Sequence, residues 1–180
     1  MLILNQSSEF DLTNVIHNFG PLSEDEAIFY CSEIISGLVH IHNMGIVHLD
    51  IKPENILLFN TGHAIISNFD CAYDLIYISE PPSPNDYRGT LYYMAPEIAR
   101  GRCIRFMTDT WGVGAVMATL LADEFRQRNV IDENLLDQAK RGNWKVSGFE
   151  NLTKPLQIFL KTCLAYEPDD QPLPLKLKYH

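Results

Sequence analysis

The most informative segment of the chain reads His48-Leu49-Asp50-Ile51-Lys52-Pro53-Glu54-Asn55-Ile56-Leu57-Leu58. It places a carboxylate, an amine and an amide close together, directly before a short apolar run that favours a β-strand. Two further β-prone runs, Ile46-Val47 and Ala64-Ile65-Ile66, flank it, and the turn residues Asn60-Thr61-Gly62 separate the last two runs. We therefore expect a few short strands, confined to residues 46–70, around a loop with polar side chains.

Helical patterns dominate the rest of the chain. Ser23-Glu24-Asp25-Glu26 is a capping box, which predicts the start of a long helix that ends at Asn43-Met44-Gly45. Asp109 to Leu121 is apolar on nearly every face, which is typical of a helix buried within a domain, and Gly112-Val113-Gly114 lies inside it, where small residues permit close packing. Shorter helices are predicted at residues 10–19, 135–140 and 156–164.

Residues 73–88 carry Glu80-Pro81-Pro82-Ser83-Pro84-Asn85, a sequence that fits neither a helix nor a central strand. A long surface loop is expected there, and long loops are often functional.

Composition and charge narrow the class of protein. The chain has 180 residues, which suits one globular domain, and 14 Lys and Arg against 23 Asp and Glu give it a net charge of −9. Nucleic acids and anionic membranes would repel this charge, so neither is expected as a partner. No apolar run is long enough to span a membrane, and residues 1–4 lack the features of a signal peptide.

The cysteines indicate the compartment. Cys31, Cys71, Cys103 and Cys163 lie far apart, without the spacing of a zinc site. We expect buried free thiols and hence an intracellular protein, either cytoplasmic or nuclear.

Four motifs in order then resemble one family. The 48–58 segment resembles the catalytic loop of eukaryotic protein kinases, H-x-D-x-K-P-E-N, and Ala95-Pro96-Glu97 resembles the end of their activation segment. Gly89-Thr90 has the spacing seen in serine/threonine kinases, and Asp109-x-Trp111-x-x-Gly114 resembles the start of the central helix of the kinase C-lobe. The resemblance implies a mainly α fold with a few short strands, a kinase-like C-lobe without its N-lobe. Its expected parts are a hinge at residues 1–8, the C-lobe at 9–168 and a tail at 169–180.

The resemblance also assigns roles to individual residues. Asp50 would be the catalytic base, and Lys52 would neutralise charge on the transferred phosphoryl group and bond Thr90 across the activation segment. Asn55 would bind Mg²⁺ through its carbonyl oxygen. Leu57 would form the floor under the adenine of ATP, and Glu54 belongs to the same nucleotide-binding set.

Several positions depart from the family pattern. Asn68-Phe69-Asp70 stands where a metal-binding Asp-Phe-Gly is expected, so Asn68 offers one neutral oxygen in place of a carboxylate. Asp70 replaces a glycine that often has a positive φ, and it would reach the metal only if the register of Phe69 shifted. No glycine-rich loop or lysine-bearing strand is found, because Met1 falls at what resembles the last N-lobe strand and hinge.

Two further departures concern the activation segment. Leu49 replaces the arginine that pairs with an activation-loop phosphate in many kinases, which argues against a phosphate switch. Glu97 normally pairs with an arginine near the last helix, where this chain has Gln171, so the segment should be held more loosely. One arginine of the cluster Arg100, Arg102 and Arg105 is a candidate substitute, although ordinary surface exposure is the default expectation.

Three hypotheses follow for function. The first, which we favour, is a catalytically impaired pseudokinase that binds or regulates another protein, with Asp50 and Asn55 retained only to brace the loop. The second is an ATP- and Mg²⁺-dependent serine/threonine kinase, acting on a protein substrate, whose N-lobe is missing from this chain. The third is a decayed product without a selected function. An uncovered hinge face at residues 1–4 also predicts self-association or an obligate partner.

Overall fold

The computed structural model describes residues 10–77, 88–122 and 132–177, and for residues 132–134 the backbone alone. The described chain is mainly helical, with four short strands, as the sequence predicts. Its helices are α1 (Leu12–Phe19), α2 (Glu24–Asn43), α3 (Pro96–Ala99), α4 (Met107–Ala122), α5 (Asp132–Lys140), α6 (Lys154–Cys163) and α7 (Pro174–Leu177). Its strands are β1 (Ile46–Val47), β2 (Ile56–Leu58), β3 (Ala64–Ile66) and β4 (Tyr73–Asp74).

The long helix α2 begins and ends where its local signals place the boundaries. The Ser23 hydroxyl accepts the Glu26 backbone N–H, and the Glu26 carboxylate accepts the Ser23 backbone N–H, so the predicted capping box is present. At the other end Gly45 has φ +81°, a conformation that glycine adopts without steric cost.

Helix α4 is the centre of the core, and every residue from Thr108 to Leu120 is buried. Helices α2 and α6 pack against it, as does the end of the chain at α7. The glycines in α4 allow this close packing, as predicted, because a Cβ at Gly112 would lie 2.7 Å from the Cβ of Ile51. The loop that precedes β2 therefore rests directly on the central helix.

The strands form two antiparallel pairs. In the first, β2 pairs with β3, with Leu57 opposite Ile65, as expected of neighbouring runs joined by a turn. In the second, β1 pairs with β4, with Val47 opposite Tyr73. The expectation that strands are confined to residues 46–70 is therefore wrong, since the predicted 73–88 loop begins with a strand. Backbone pairing with β1 stabilises these two residues, a contact that local sequence does not reveal. Residues 78–87 lie outside the described residues.

Three further findings bear on the sequence predictions. All four cysteines are free, but only Cys31 and Cys163 are buried; Cys103 is exposed, because it lies in the loop between α3 and α4. A short helix, α7, lies within residues 169–180. In the described part of the chain, no helix has the length and apolar character needed to cross a membrane. The predicted hinge at residues 1–8 lies outside the described residues.

Candidate functional site

Residues 48–55, here named the Asp50 loop, are held in place by a buried carboxylate at the start of α4. Asp109 accepts the backbone N–H of His48 on Oδ2 and that of Leu49 on Oδ1, both at 2.8 Å. The same Oδ2 lies 2.8 Å from Nε2 of His42 on helix α2. Leu49 has φ +67°, a conformation costly for a side chain branched beyond Cβ, and the two bonds from Asp109 hold it there.

His48 braces the loop from the other side. Its Nδ1 accepts the backbone N–H of Asp50 at 3.3 Å, so its Nε2 carries the proton and donates to the carbonyl oxygen of Ser67 at 3.0 Å. The Phe69 ring packs edge-on against the imidazole, with ring centroids 5.0 Å apart. His48 thus braces the Asp50 loop and joins it to residues 67–69.

Asp50 is buried and both of its carboxylate oxygens accept hydrogen bonds. Oδ1 accepts the backbone N–H of Thr90 at 2.8 Å, and Oδ2 accepts Nδ2 of Asn55 at 2.9 Å and lies 3.0 Å from Nζ of Lys52. Burial by itself raises the pKa of Asp50, but the bonds from Thr90, Lys52 and Asn55 and the charge of Lys52 outweigh it, so the pKa is lowered. Asp50 is therefore a stable carboxylate and a weak base.

The Asp50 loop is also joined to residues 88–101, here named the Glu97 segment. Nζ of Lys52 donates to Oγ1 of Thr90 at 2.7 Å, so the hydrogen bond predicted from the sequence is present. Gly89, with φ +97°, lies so close that a Cβ there would be 2.4 Å from the carbonyl oxygen of Leu49. The two segments thus meet through Lys52, Thr90, Asp50 and Gly89.

Asn68 contacts the predicted metal ligand directly. Its Nδ2 donates to Oδ1 of Asn55 at 3.2 Å, and its own Oδ1 accepts the backbone N–H of Asp70 at 3.4 Å. The left-handed conformation expected near Asp70 falls instead on Asn68, with φ +61°. The side-chain amide of Asn68 is therefore hydrogen-bonded to the side chain of Asn55.

This arrangement does not fit a magnesium ion. Mg²⁺ prefers carboxylate and other oxygen ligands in octahedral geometry, whereas here the Asn55 oxygen faces an N–H donor of Asn68. Asp70 is exposed, and within the described residues no three His, Cys, Asp or Glu side chains could hold a metal together.

The other predicted nucleotide-binding residues lie apart from this cluster. Glu54 is exposed, in the short 3-10 helix Pro53–Asn55. Leu57 is partly buried in β2, where it also pairs with Asp11 of the chain before α1. The cluster around Asp50 thus contains Lys52, Asn55, Asn68 and Thr90, but neither Glu54 nor Leu57 contributes a polar contact to it.

Glu97 is buried in α3, with 1% of its surface exposed, and Gln171 does not replace its expected arginine. Nε2 of Gln171 donates to the carbonyl oxygen of Ala165 at 2.8 Å instead. The candidate arginines bond elsewhere: Arg102 lies 3.5 Å from Glu167, Arg105 lies 2.5 Å from Asp169, and Arg100 bonds the Tyr166 hydroxyl. Three surface contacts therefore connect residues 100–105 to the chain at 166–169.

One residue and one contact of this site were not found by sequence reasoning. Asp109 was recognised only as part of a motif, although one acidic residue in the first turn of an otherwise apolar, buried helix signals a buried hydrogen-bond acceptor. The hydrogen bond from Asn68 to Asn55 had no such signal, because it depends on side-chain rotamers.

The comparisons with known proteins agree with the motifs. The family model described as protein kinase domain matches residues 1–180. Serine/threonine-protein kinase AtPK1/AtPK6 of Arabidopsis thaliana is 39% identical over 106 residues, which cover 59% of this chain and 22% of the relative. G protein-coupled receptor kinase 2 of Caenorhabditis elegans is 37% identical over 139 residues, 76% of this chain and 19% of the relative. Serine/threonine-protein kinase Nek9 of Xenopus laevis is 34% identical over 173 residues, 93% of this chain and 18% of the relative. The chain spans about a fifth of the length of these relatives.

Proposed function

The chain belongs to the protein kinase domain family, and from this premise we propose that it is a catalytically impaired, serine/threonine-kinase-like module that binds or regulates another protein. The observation that carries the proposal is the hydrogen bond from Nδ2 of Asn68 to Oδ1 of Asn55. Members of the family generally use ATP and Mg²⁺. In this chain the two residues that would hold the metal, Asn55 and Asn68, are hydrogen-bonded to each other, and neither supplies a carboxylate.

The contacts of Asp50 support a structural role for that residue. A general base works best when its pKa lies near the operating pH, whereas the pKa of Asp50 is lowered and both its oxygens are engaged. The carboxylate joins the Asp50 loop to the Glu97 segment whether or not phosphoryl transfer occurs. This is the bracing function expected of a pseudokinase.

The expected loss of rate is large. Electrostatic stabilisation of a transition state contributes several kcal/mol for each well-placed group, and about 1.4 kcal/mol corresponds to a tenfold change in rate. Without the metal carboxylate, phosphoryl transfer by this chain should fall to a level that is difficult to detect.

A second candidate function is an active ATP-dependent serine/threonine kinase. The bond from Lys52 to Thr90 favours it. These are the residues that the resemblance assigns to the transfer of phosphate to a serine or threonine hydroxyl, and they are assembled in contact with one another. Its Mg²⁺ site would have to form by rotation of the Asn68 side chain.

The proposed partner is a protein. Ile76 and Tyr77, directly after β4, are 65% and 83% exposed, and large apolar side chains at this level of exposure suit a protein contact. The net charge of −9 makes a nucleic acid a poor partner. Self-association is the alternative to binding a different protein, and the four free thiols suit a reducing compartment, cytoplasmic or nuclear.

A phosphoryl-transfer assay tests the proposal. The purified chain, Asn68→Asp and Asp50→Asn are each incubated with labelled ATP, Mg²⁺ and a basic protein substrate. We expect the natural chain to transfer no more phosphate than Asp50→Asn. Transfer well above the Asp50→Asn background would instead support the active kinase. Asn68→Asp shows whether restoring the carboxylate is sufficient to recover transfer.

A further inference from the structure

Glu97 is a buried carboxyl group without a well-formed hydrogen bond among the described residues. It lies on α3, with 1% of its surface exposed, and neither of its side-chain oxygens has a hydrogen-bond partner among the described residues. Most buried polar groups in folded proteins are satisfied, so such a group calls for an explanation. Burying an unpaired carboxylate costs far more than burying a neutral carboxylic acid.

The charges of Arg100 and Arg105 act on Glu97, but these arginines bond other groups, and Nη2 of Arg100 has no partner among the described residues. Arg100 donates from Nε to the carbonyl oxygen of Pro96 at 3.0 Å, with its guanidinium over the Tyr166 ring. Arg105 donates to Asp169, and this carboxylate offsets part of the arginine's charge. Helix α5 packs against α3 and carries Asp137 and Lys140, and Asp169 and Glu167 lie beyond the arginines. Among the residues that the structure describes, no cation bonds the buried carboxyl group.

Position 171, where the resemblance expects the arginine that pairs with Glu97, carries no charge. Thr110 of α4 donates to the carbonyl oxygen of Pro172 at 2.8 Å, which anchors this part of the chain at the start of α4. Gln171 is buried there, and its Oε1 also has no hydrogen-bond partner among the described residues. A neutral side chain thus occupies the place where the resemblance expects a guanidinium.

We propose that Glu97 is a proton-linked switch: as a neutral acid it allows the Glu97 segment to stay packed against α5, and its ionisation loosens that packing. The proposal goes beyond the proposed function, since it needs neither nucleotide nor metal. It adds a way in which pH alone would change the exposure of residues 88–101.

The direction of the pKa shift agrees with this geometry. Burial raises the pKa of the Glu97 carboxyl above 4.5, and the backbone N–H, Thr108, Arg100 and Arg105 offset only part of the rise. A group whose pKa is raised on folding contributes stability below its unfolded pKa and loses it as the pH rises through its folded pKa. Within that window the unfolding equilibrium constant should increase by up to about tenfold per pH unit because of Glu97.

The test compares the natural chain with Glu97→Gln, which mimics the neutral acid, by urea unfolding from pH 4 to pH 8. Both proteins share all other titrating groups, so the difference between them isolates Glu97. We expect Glu97→Gln to gain stability relative to the natural chain as the pH rises above about 4.5, the unfolded value. The exposed Glu150→Gln is the control and should follow the natural chain throughout. A constant difference between Glu97→Gln and the natural chain would overturn the proposal.

Two further measurements apply even if Glu97→Gln fails to fold. Gln171→Arg supplies a cation, so its stability relative to the natural chain should increase with pH over the same range. In the natural chain, the carbon-13 resonance of the Glu97 carboxyl should titrate above the range of the exposed glutamates. Titration of Glu97 together with the exposed glutamates, or a Gln171→Arg effect independent of pH, would contradict the switch.

Discussion

Asp109 uses both carboxylate oxygens to fix the backbone of the Asp50 loop. It accepts the N–H groups of His48 and Leu49 and contacts His42, with 1% of its own surface exposed. These bonds hold Leu49 in its left-handed conformation and thereby determine where Asp50 points. One residue of α4 therefore sets the geometry of the candidate site.

Asp109→Asn should be strongly destabilising. The amide keeps one acceptor oxygen but turns an NH₂ group towards a backbone N–H, and losing a buried bond to a charged acceptor costs about 3 kcal/mol. Urea denaturation measures the change in the free energy of unfolding. The exposed Asp170→Asn is the control and should change stability by less than about 0.5 kcal/mol. Equal stability of the two variants would show that Asp109 does not hold the loop.

Gly89 offers a second test at the level of one residue. Gly89→Ala puts a Cβ 2.4 Å from the Leu49 carbonyl oxygen in a backbone with φ +97°. Gly62→Ala is the matched control, since it has φ +86° but no atom within 4 Å of the new Cβ. The left-handed backbone costs each variant about 1–2 kcal/mol.

The clash with Leu49 is therefore the difference between the two glycine variants. We expect Gly89→Ala to lose at least about 1 kcal/mol more than Gly62→Ala in chemical denaturation, and to speed hydrogen exchange at Thr90. Equal losses would mean that the Glu97 segment does not rest on the Asp50 loop as described.

Among the elements, α4 determines how closely its neighbours approach. A Cβ at Gly114 would lie 2.7 Å from the Cβ of Cys163 and 2.9 Å from Cγ of Leu164, both at the end of α6. Small residues at this crossing bring the two helices into direct contact. The same helix supports the Asp50 loop through Gly112, so its packing and the site geometry are coupled.

Gly114→Ala should destabilise the chain despite the better helix propensity of alanine. Overpacking costs about 1–3 kcal/mol, against a gain of about 1 kcal/mol from replacing a helical glycine. The control is Gly37→Ala on α2, whose new Cβ meets only the end of the flexible Ile66 side chain at 3.0 Å. Thermal denaturation should rank Gly37→Ala as the more stable variant. The reverse order would contradict the close packing of α4 on α6.

The elements also differ in how far the sequence predicts them. Helix α2 could be predicted almost to the residue, because Ser23, Glu26 and Gly45 are local signals. Strand β4 could not, because Tyr73 and Asp74 become a strand only by pairing with β1, more than twenty residues earlier. Local preference is weak in so short a segment, and the tertiary contact decides.

For the whole molecule, the motifs predicted some of the residues that meet around Asp50, but they missed the part played by Asp109 and several of the contacts. The bond between Lys52 and Thr90 was expected from residue types and spacing. The bonds from Asp109 join residues 61 and 60 positions apart, and the Asn68 bond depends on the rotamer of one amide. Long-range contacts of this kind require the folded backbone, so sequence patterns alone do not supply them.

The most direct test of the central claim measures how ATP changes the thermal stability of the chain, with and without Mg²⁺. A ligand stabilises the folded state by RT ln(1 + [L]/Kd), so a metal-dependent nucleotide site raises the melting temperature only when both are present. We predict no Mg²⁺-dependent increase for the natural chain and a clear increase for Asn68→Asp. A Mg²⁺-dependent increase in the natural chain equal to that of Asn68→Asp would contradict the claim that Asn68 disables the metal site.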